Sequence, residues 1–543
     1  MHLESVEVVN FRGISRLTLA LESDVTVLFG ENAWGKTSLV EALMSTLGSR
    51  PLTEADIHRV AYDRSTLAQR MSITLGFSGE PDPTLEGVGW RDEAGRFHLR
   101  LSWIGRRPSR GQVRIRRAFL DGSGREFKLP GDDQAVMADL VVATHPLHVF
   151  RELRLADQML QPVITPPREV HEAPDLAVLR VFERLLAVPH QVHPEELSRG
   201  LEALHRLAEI RPDLFRGSLP SDRPSHRRAR DMAEAPLSSD DGRTLADLAH
   251  RAGSGMRQVT LLALVGAMLK AEAESPRRIG AQPILLLEDP ETHLHPIQLA
   301  TAWNLVEQLP AQKIVTTAHG ELLGSLPMKA LRRLVRRARH TEVFPHEPGP
   351  MNATDTRRVA FHVRTHRTDA LFARAWLLVE GETEAWLLPE LARVYGLSFP
   401  LEGIRCVEFA QAGLAPLIGF ADRFGIPWHV VADGDDAGQG YAAKTRGRLK
   451  GRKEARHLTV LPDRDIEHHL WRMGFADTFR EAAQLHAHGP EDPEATLRAA
   501  LRMRSKPGMA LELAEAAGRK GPQSIPPALR RLFATLRKLA QGS

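Results

Sequence analysis

The stretch Gly30–Ser38, GENAWGKTS, constrains this chain more than any other. It has the form G-x-x-x-x-G-K-[ST], with Gly30, Gly35, Lys36 and Thr37 in the fixed places. Glycines let backbone N–H groups curl round phosphate oxygens, the lysine brings a point charge, and the hydroxyl reaches a magnesium ion. Asn32 and Ser38 share the loop and complete the candidate nucleotide contacts. Asp24–Phe29, DVTVLF, reads as a strand before the loop. Thr37–Leu47, TSLVEALMSTL, reads as a helix after it, with Gly48 as its C-cap. The phosphates of ATP are then expected at a helix N-terminus, where unpaired N–H groups and the dipole favour anions.

A chain of 543 residues has room for about three or four domains, each with its own core. The formal charge of +4 and pI of 9.3 leave room for a nucleic-acid partner without demanding one. Cys406 is the sole cysteine, so a disulfide within the chain and a cysteine-built zinc site are both excluded. The N-terminus MHLESVEVVN has no basic segment leading into an apolar one, and no apolar run reaches about 18 residues. The expectation is a cytoplasmic protein with no membrane partner.

Leu3–Phe11 and Arg16–Leu21 alternate with period two and predict a hairpin that leads into the loop strand. Short alternating runs such as Met71–Phe77 and Gln112–Phe119 predict a mostly antiparallel lobe. These make residues 1–155 the N-terminal half of a nucleotide domain. Leu176–Leu186 and Glu195–Ile210 have helical spacing, and Gly217–Arg243 reads as a loop, so 156–243 is expected to be a helical insertion. Residues 244–365 resume β/α character, with strands at Ile284–Leu287 and Lys313–Thr317 and a basic helix at Ala330–Arg339. From 366 a new series begins. Trp376–Val379, Ile404–Phe409, Trp428–Ala432 and His457–Leu461 alternate with helical stretches, which predicts a doubly wound parallel sheet and an α/β class for the chain.

A phosphate-loop lysine calls for an acidic partner on a neighbouring strand. Ile284–Glu291, ILLLEDPE, supplies the acidic pair Glu288 and Asp289 to hold magnesium and polarise water, roughly 250 residues after Lys36. Ala252–Gln258, AGSGMRQ, opens an apolar helix with Ser254 and Gly255 at a second anion-binding start. His319 closes a strand in TTAH and can reach a γ-phosphate. His293 and His295 in HLHP lack a third ligand at metal spacing and read as loop residues.

The Asn10-Phe11-Arg12 opening, the phosphate loop, the Ser254-Gly255 pair, EDPETHLHP and His319 together resemble the ABC-type ATPase heads of the RecF and SMC group. The resemblance implies ATP held between two heads, with Arg12 and Ser254 among its contacts. Glu288 stands where that group more often has Asp, and Asp289 where it has the catalytic Glu, so slow hydrolysis is expected.

A second constellation starts at Leu377–Glu384, LLVEGETE, where a buried strand delivers Glu380 and one helical turn later Glu384. Val430–Gly438, VVADGDDAG, delivers Asp433 and Asp435 at the end of another strand. Ligands of parallel sheets gather outside the carboxyl ends of the strands, so these acids are expected to converge. Crowded carboxylates need divalent cations, and oxygen donors favour Mg²⁺ or Mn²⁺, whose chemistry suits phosphodiester cleavage. Asp463–Leu470, DRDIEHHL, adds Glu467 as a further ligand or, equally, a helix-start acid.

Glu followed by D-x-D on such a sheet looks like a Toprim domain. An ATPase head followed by Toprim resembles the OLD (overcoming lysogenization defect) family of nucleases, class 2 members in particular. That resemblance implies metal-dependent DNA nicking and cleavage, homodimers formed through the inserted helices, and an anti-phage or DNA-processing role. It implies two Mg²⁺ or Mn²⁺ ions at the Toprim acids and one with the nucleotide, and leaves room for a helicase-like partner protein. It also places a lysine beyond the acids, and Lys506 in RSKPGMALELAE occupies the matching place. The alternative is an ATP-dependent DNA-binding scaffold with an inactive Toprim domain. Three basic runs, Arg106–Arg117, Arg332–Arg339 and Lys444–Arg456, are solvated faces by default, and the third adjoins the acids and is expected to meet phosphate.

Overall fold

The computed structural model describes residues 1–151, 282–345 and 368–542, apart from 49, 59–67, 69, 107–113, 130, 293, 338–339 and 485–491; it also describes 354, 357–359 and 361. The expected insertion at 156–243, together with Ser254, Gly255 and His293, lies outside the described residues. The chain divides into two compact units, Met1–Val343 and Phe344–Ser543.

Up to that division the strands are β1 (His2–Phe11), β2 (Ile14–Ala20), β3 (Val25–Phe29), β4 (Arg70–Ser78), β5 (Gly89–Arg91) and β6 (Phe97–Arg106). They continue with β7 (Arg114–Leu120), β8 (Leu147–Arg151), β9 (Ile284–Glu288), β10 (Gln312–Thr317), β11 (Leu331–Arg336) and β12 (Thr341–Phe344). An antiparallel sheet runs β2-β1-β4-β6-β5 with β7 on β6. A second sheet runs β12-β11-β3-β10-β9-β8 and is parallel from β11 to β8. The hairpin thus feeds a strand of the other sheet. The helix Lys36–Thr46 buries Leu39, Val40 and Leu43 in one cluster with Leu3, Val6 and Val8 of β1 and Leu28 and Ile314 of the parallel sheet.

The side-chain amide of Gln312 stitches the two sheets. It accepts from the Leu3 N–H at 3.0 Å and donates to the carbonyls of Leu3 at 2.7 Å and Glu22 at 2.9 Å. A buried primary amide satisfied three ways behaves like an extra ladder rung.

Two local expectations fail here. The expected basic helix at Ala330–Arg339 is not found among its described residues; LRRLVR, Leu331–Arg336, is β11, parallel to β3. Six residues with three apolar members fit either period, and pairing with a buried strand decides the matter over the helix preference of arginine. Arg332 is satisfied inside the sheet by the Ala20 and Lys329 carbonyls and by Glu22 at 2.7 Å. Gly48 is not the C-cap: the helix Lys36–Thr46 is capped by Leu47, and Gly48 is not among the glycines with positive φ. Space is the reason for glycine: a Cβ there would stand 2.6 Å from the Met44 carbonyl oxygen.

The second unit carries β13 (Ala375–Val379), β14 (Ile404–Glu408), β15 (Trp428–Ala432) and β16 (Leu458–Val460), all parallel, in the order β14-β13-β15-β16. AWLLV and WHVVA are buried at every position, as strands covered on both faces must be. One cluster joins the sheet to the helices Glu382–Tyr395, Lys506–Lys520 and Pro527–Ala540 through Leu387, Leu391, Leu513 and Phe533. On the helix Leu414–Arg423, Phe420 stacks on Trp376 with ring centres 5.9 Å apart. The strands therefore end side by side along one edge.

Candidate functional sites

β3 delivers the chain into Gly30, with φ of 144°, then the turn Asn32–Trp34, then Gly35 with φ of 103°. A Cβ on Gly30 would meet the Leu334 carbonyl oxygen at 2.7 Å, so the loop closes only with glycine there. Lys36 opens the helix, is 3 % exposed, and donates to the Gly30 carbonyl and, at 3.3 Å, to Asn32 Oδ1. Burial pulls its ammonium below the usual lysine range, while Asp289, Glu291 and Glu31 push the other way. Of the two acids that the sequence set opposite Lys36, Asp289 is therefore within its field. Both arrive differently from expectation: β9 is not the neighbour of β3, because β10 stands between them.

Asp289 follows β9 with a left-handed φ of 46°, and its N–H donates to the Thr316 carbonyl at 3.0 Å. Glu288 is the last residue of β9, in register with Thr316. Glu291, passed over in the sequence, is the more buried acid at 7 % exposure. Its Oε1 accepts from Thr317 Oγ1 at 2.7 Å and the Ala318 N–H at 3.2 Å, and Oε2 is buried without a hydrogen bond. Burial raises its pKa, with Asp289 adding to the effect. The exposed His319 begins the helix Gly320–Ser325, and its N–H donates to the same Thr317 hydroxyl at 3.1 Å. Glu291 thus ties the His319 loop to the acids.

Thr37 is exposed and Ser38 Oγ accepts from the Gly13 N–H at 3.4 Å. Arg12 takes a left-handed φ of 46°, but its guanidinium lies 3.3 Å from Glu41 and 3.8 Å from Asp56, acids that Arg50 also engages. Arg333, hidden in the misread segment, is 1 % exposed with its guanidinium 5.6 Å from the Trp34 ring centre. Desolvation holds it down at about 9, Arg337 adds to this, and Glu31 opposes it.

In the second unit Glu380 directly follows β13 and Asp433 follows β15. Burial raises Asp433 to about 8, and Glu384, Asp465, Glu467 and Glu380 each push it further in that direction. Four carboxylates from two strand ends therefore face a fifth at a third. Glu384, 8 % exposed, accepts from the Gly381 N–H at 3.1 Å and fixes the helix start. Asp435 caps the helix Asp436–Arg446 by accepting from the Gly438 N–H at 2.7 Å; with Glu380 it also acts on Tyr441. Asp465, not singled out in the sequence, caps the helix Ile466–Leu470, accepting from the His468 N–H at 2.8 Å and His468 Nδ1 at 2.6 Å. The D-x-D spacing of Asp463 and Asp465 was the available signal. Glu467 occupies the first turn of that helix, so helix start and acidic cluster coincide.

The glycines explain the DGDDAG pattern. A Cβ on Gly434 would stand 2.3 Å from the Asp463 carbonyl oxygen, and one on Gly438 2.1 Å from that of Asp433. Backbone bonds from Gly434 and Asp435 to Asp463 and Arg464, at 3.0 and 3.2 Å, lace the two acidic loops together. Among the described residues no three Asp, Glu, His or Cys side chains already form a cation cage. The donor set is nonetheless all oxygen, which suits hard divalent ions, and such an ion would displace the proton that Asp433 keeps at neutral pH.

Lys506 is the first residue of the helix Lys506–Lys520, capped by Ser505, whose Oγ accepts from the Gly508 N–H at 3.2 Å. In the basic run, Arg446 pairs with Glu454 at 2.9 Å, and Arg452 and Lys450 pair with Asp422 at 2.8 and 3.5 Å. Much of that run is therefore engaged locally. Among the described residues no helix is long and apolar enough to cross a membrane.

Residues 371–435 match the model for the "overcoming lysogenization defect protein-like, TOPRIM domain". The chain is 37 % identical over 573 aligned residues to the "uncharacterized protein YbjD" of Escherichia coli K12, with all of both chains covered. It is 27 % identical to the DNA replication and repair protein RecF of Deinococcus deserti, over 65 % of this chain and 98 % of that one. Among solved structures, the C-terminal region of the Xanthomonas campestris OLD protein matches at 18 % identity, covering 32 % of this chain and 96 % of the other, with a TM-score of 0.28. The SMC head domain from Thermotoga maritima matches at 12 % identity over 64 % and 100 %, with a TM-score of 0.31. Residues 1–370 match the family described as "protein of unknown function (DUF2813)", and the chain belongs to that family, with an OLD-like TOPRIM domain following.

Proposed function

We propose that the chain is an ATP-binding, divalent-metal-dependent DNA endonuclease of the OLD type, acting in DNA processing or anti-phage defence. The observation that carries this reading is the crowding at Asp433, whose proton is held to about pH 8 by burial and by Glu384, Asp465, Glu467 and Glu380. So many like charges at one strand edge serve little purpose in a core, and they suit bound cations. Glu380, Glu384, Asp433, Asp435, Asp465 and Glu467 would hold Mg²⁺ or Mn²⁺. Bound there, the metal supplies Lewis acidity and an activated water for phosphodiester hydrolysis.

In the first unit Lys36, Thr37 and Ser38 would take the ATP phosphates, Glu288 and Asp289 the accompanying Mg²⁺ and water, and His319 the γ-phosphate side. Taking ATP requires Lys36 to leave the Gly30 carbonyl. Each unit carries its own constellation, so ATP is proposed to gate or assemble the nuclease, as a homodimer, rather than to drive bond breakage.

Nicking of supercoiled plasmid with Mg²⁺ or Mn²⁺, repeated on Glu380→Ala, tests the nuclease reading. Equal nicking by both proteins would refute it and leave the DNA-binding scaffold. Equal cleavage by Lys36→Ala with and without ATP, together with an ATP response in the wild type, would place the regulation at Lys36; no ATP response in the wild type would remove it.

A further inference from the structure

Tyr441 belongs to no motif, yet it is half-buried within the field of Glu380 and Asp435. It lies in the second turn of the helix that Asp435 caps. Its ring meets Phe409 edge-on, with centres 4.8 Å apart and planes at 64°. Phe409 is itself fixed: it is 1 % exposed, and its N–H donates to the Val379 carbonyl at 2.9 Å, one residue before Glu380. One helical turn after Tyr441, the exposed Lys444 sets its ammonium 5.2 Å from the centre of the tyrosine ring. A ring clamped between a buried phenylalanine and a surface cation, in the field of Glu380 and Asp435, is held rather than incidental.

We infer that Tyr441 and Lys444 form the substrate-gripping rim of this edge: the Tyr441 hydroxyl donates a hydrogen bond to a non-bridging oxygen of the scissile phosphodiester, and Lys444 takes the adjacent phosphate of the strand. This rests on reading the edge as a nuclease site. A bare cluster of carboxylates repels a polyanion, so the rim needs a cation and a neutral donor to bring the strand in. Burial raises the phenol above its ordinary range, and Glu380 and Asp435 push it further. The hydroxyl therefore keeps its proton. It donates, and it is not a nucleophile; no covalent bond to the protein forms.

The test uses the full chain, with two readouts. Cleavage of supercoiled plasmid is followed in Mn²⁺, and binding of a fluorescent DNA duplex is followed by anisotropy in Ca²⁺. Tyr441→Phe keeps the ring contacts and should slow cleavage about a hundredfold, with DNA affinity unchanged. Lys444→Gln should weaken binding severalfold and flatten the salt dependence by about one ion. Wild-type cleavage by Tyr441→Phe overturns the inference while the nuclease reading stands. An SDS-stable DNA adduct lost in Tyr441→Phe overturns it by making the tyrosine a nucleophile. Should the wild type bind DNA but cut none with any metal, the nuclease reading fails and the Tyr441 contact to a scissile phosphate falls with it. The Lys444 salt slope then decides the rim: flattened it survives as a DNA grip, unchanged it falls.

Discussion

In the first unit a buried ammonium, that of Lys36, sits in the field of Asp289, Glu291 and Glu31. In the second, the buried carboxyl of Asp433 sits in the field of four more carboxylates. Both places are the carboxyl ends of parallel strands, and both are shaped by glycines where backbones nearly touch. The contrast lies in charge. In the first site a cation already faces the acids and is held by the Gly30 carbonyl and Asn32, contacts that a ligand calling on Lys36 would have to displace. The second is left with excess charge that an external cation can relieve. Competition governs the one and complementation the other.

Glu380→Ala breaks the contrast most sharply. Plasmid nicking in Mn²⁺ should fall about a thousandfold, the several kcal/mol that a bound divalent ion contributes, while nucleotide binding stays as in the wild type. Lys36→Ala comes next. Affinity for a fluorescent ATP analogue should fall by about ten- to a hundredfold, as for loss of charge-assisted hydrogen bonds, and metal-dependent stability should not change.

A third experiment uses pH. A carboxyl titrating near 8 in the fold, against 3.8 in the unfolded chain, binds its proton more tightly when folded. Its stabilising effect is whole below about pH 4 and is lost as pH rises through 8. In EDTA, the wild type should lose roughly 2 kcal/mol of unfolding free energy between pH 5 and 8.5, a figure reduced for partial exposure. Asp433→Asn should remove that slope, and millimolar Mg²⁺ should restore wild-type stability at pH 8. Identical slopes in urea melts of the two proteins would contradict the crowding. The smallest effect is expected for Thr317→Val. It removes the 2.7 Å bond to the buried Glu291 at a cost of about 1 kcal/mol. ATP turnover should drop severalfold, with nucleotide affinity unaltered.

The sheets, the phosphate loop and the acids at strand ends were legible because each rests on local signals: uniform apolar runs, glycines at fixed offsets, and carboxylates just past a strand. What escaped depends on long-range pairing. Arg333 looked like one face of a basic helix, and only the partnership of β11 with β3 shows it buried beneath Trp34. Glu291 and Asp465 gain their character from loops folding back on Thr317 and towards Asp433, contacts with no periodic trace in the chain. Nothing local marks Tyr441, because its contact with the Phe409 ring, thirty-two positions earlier, arises only in the fold.

The tightness around position 434 has a practical outcome. A single methyl group there finds the Asp463 carbonyl at 2.3 Å and has nowhere to go. Gly434→Ala therefore offers a way to spoil the alignment of the acids while leaving their number and formal charge intact. Such a variant separates what the edge does by being charged from what it does by being shaped.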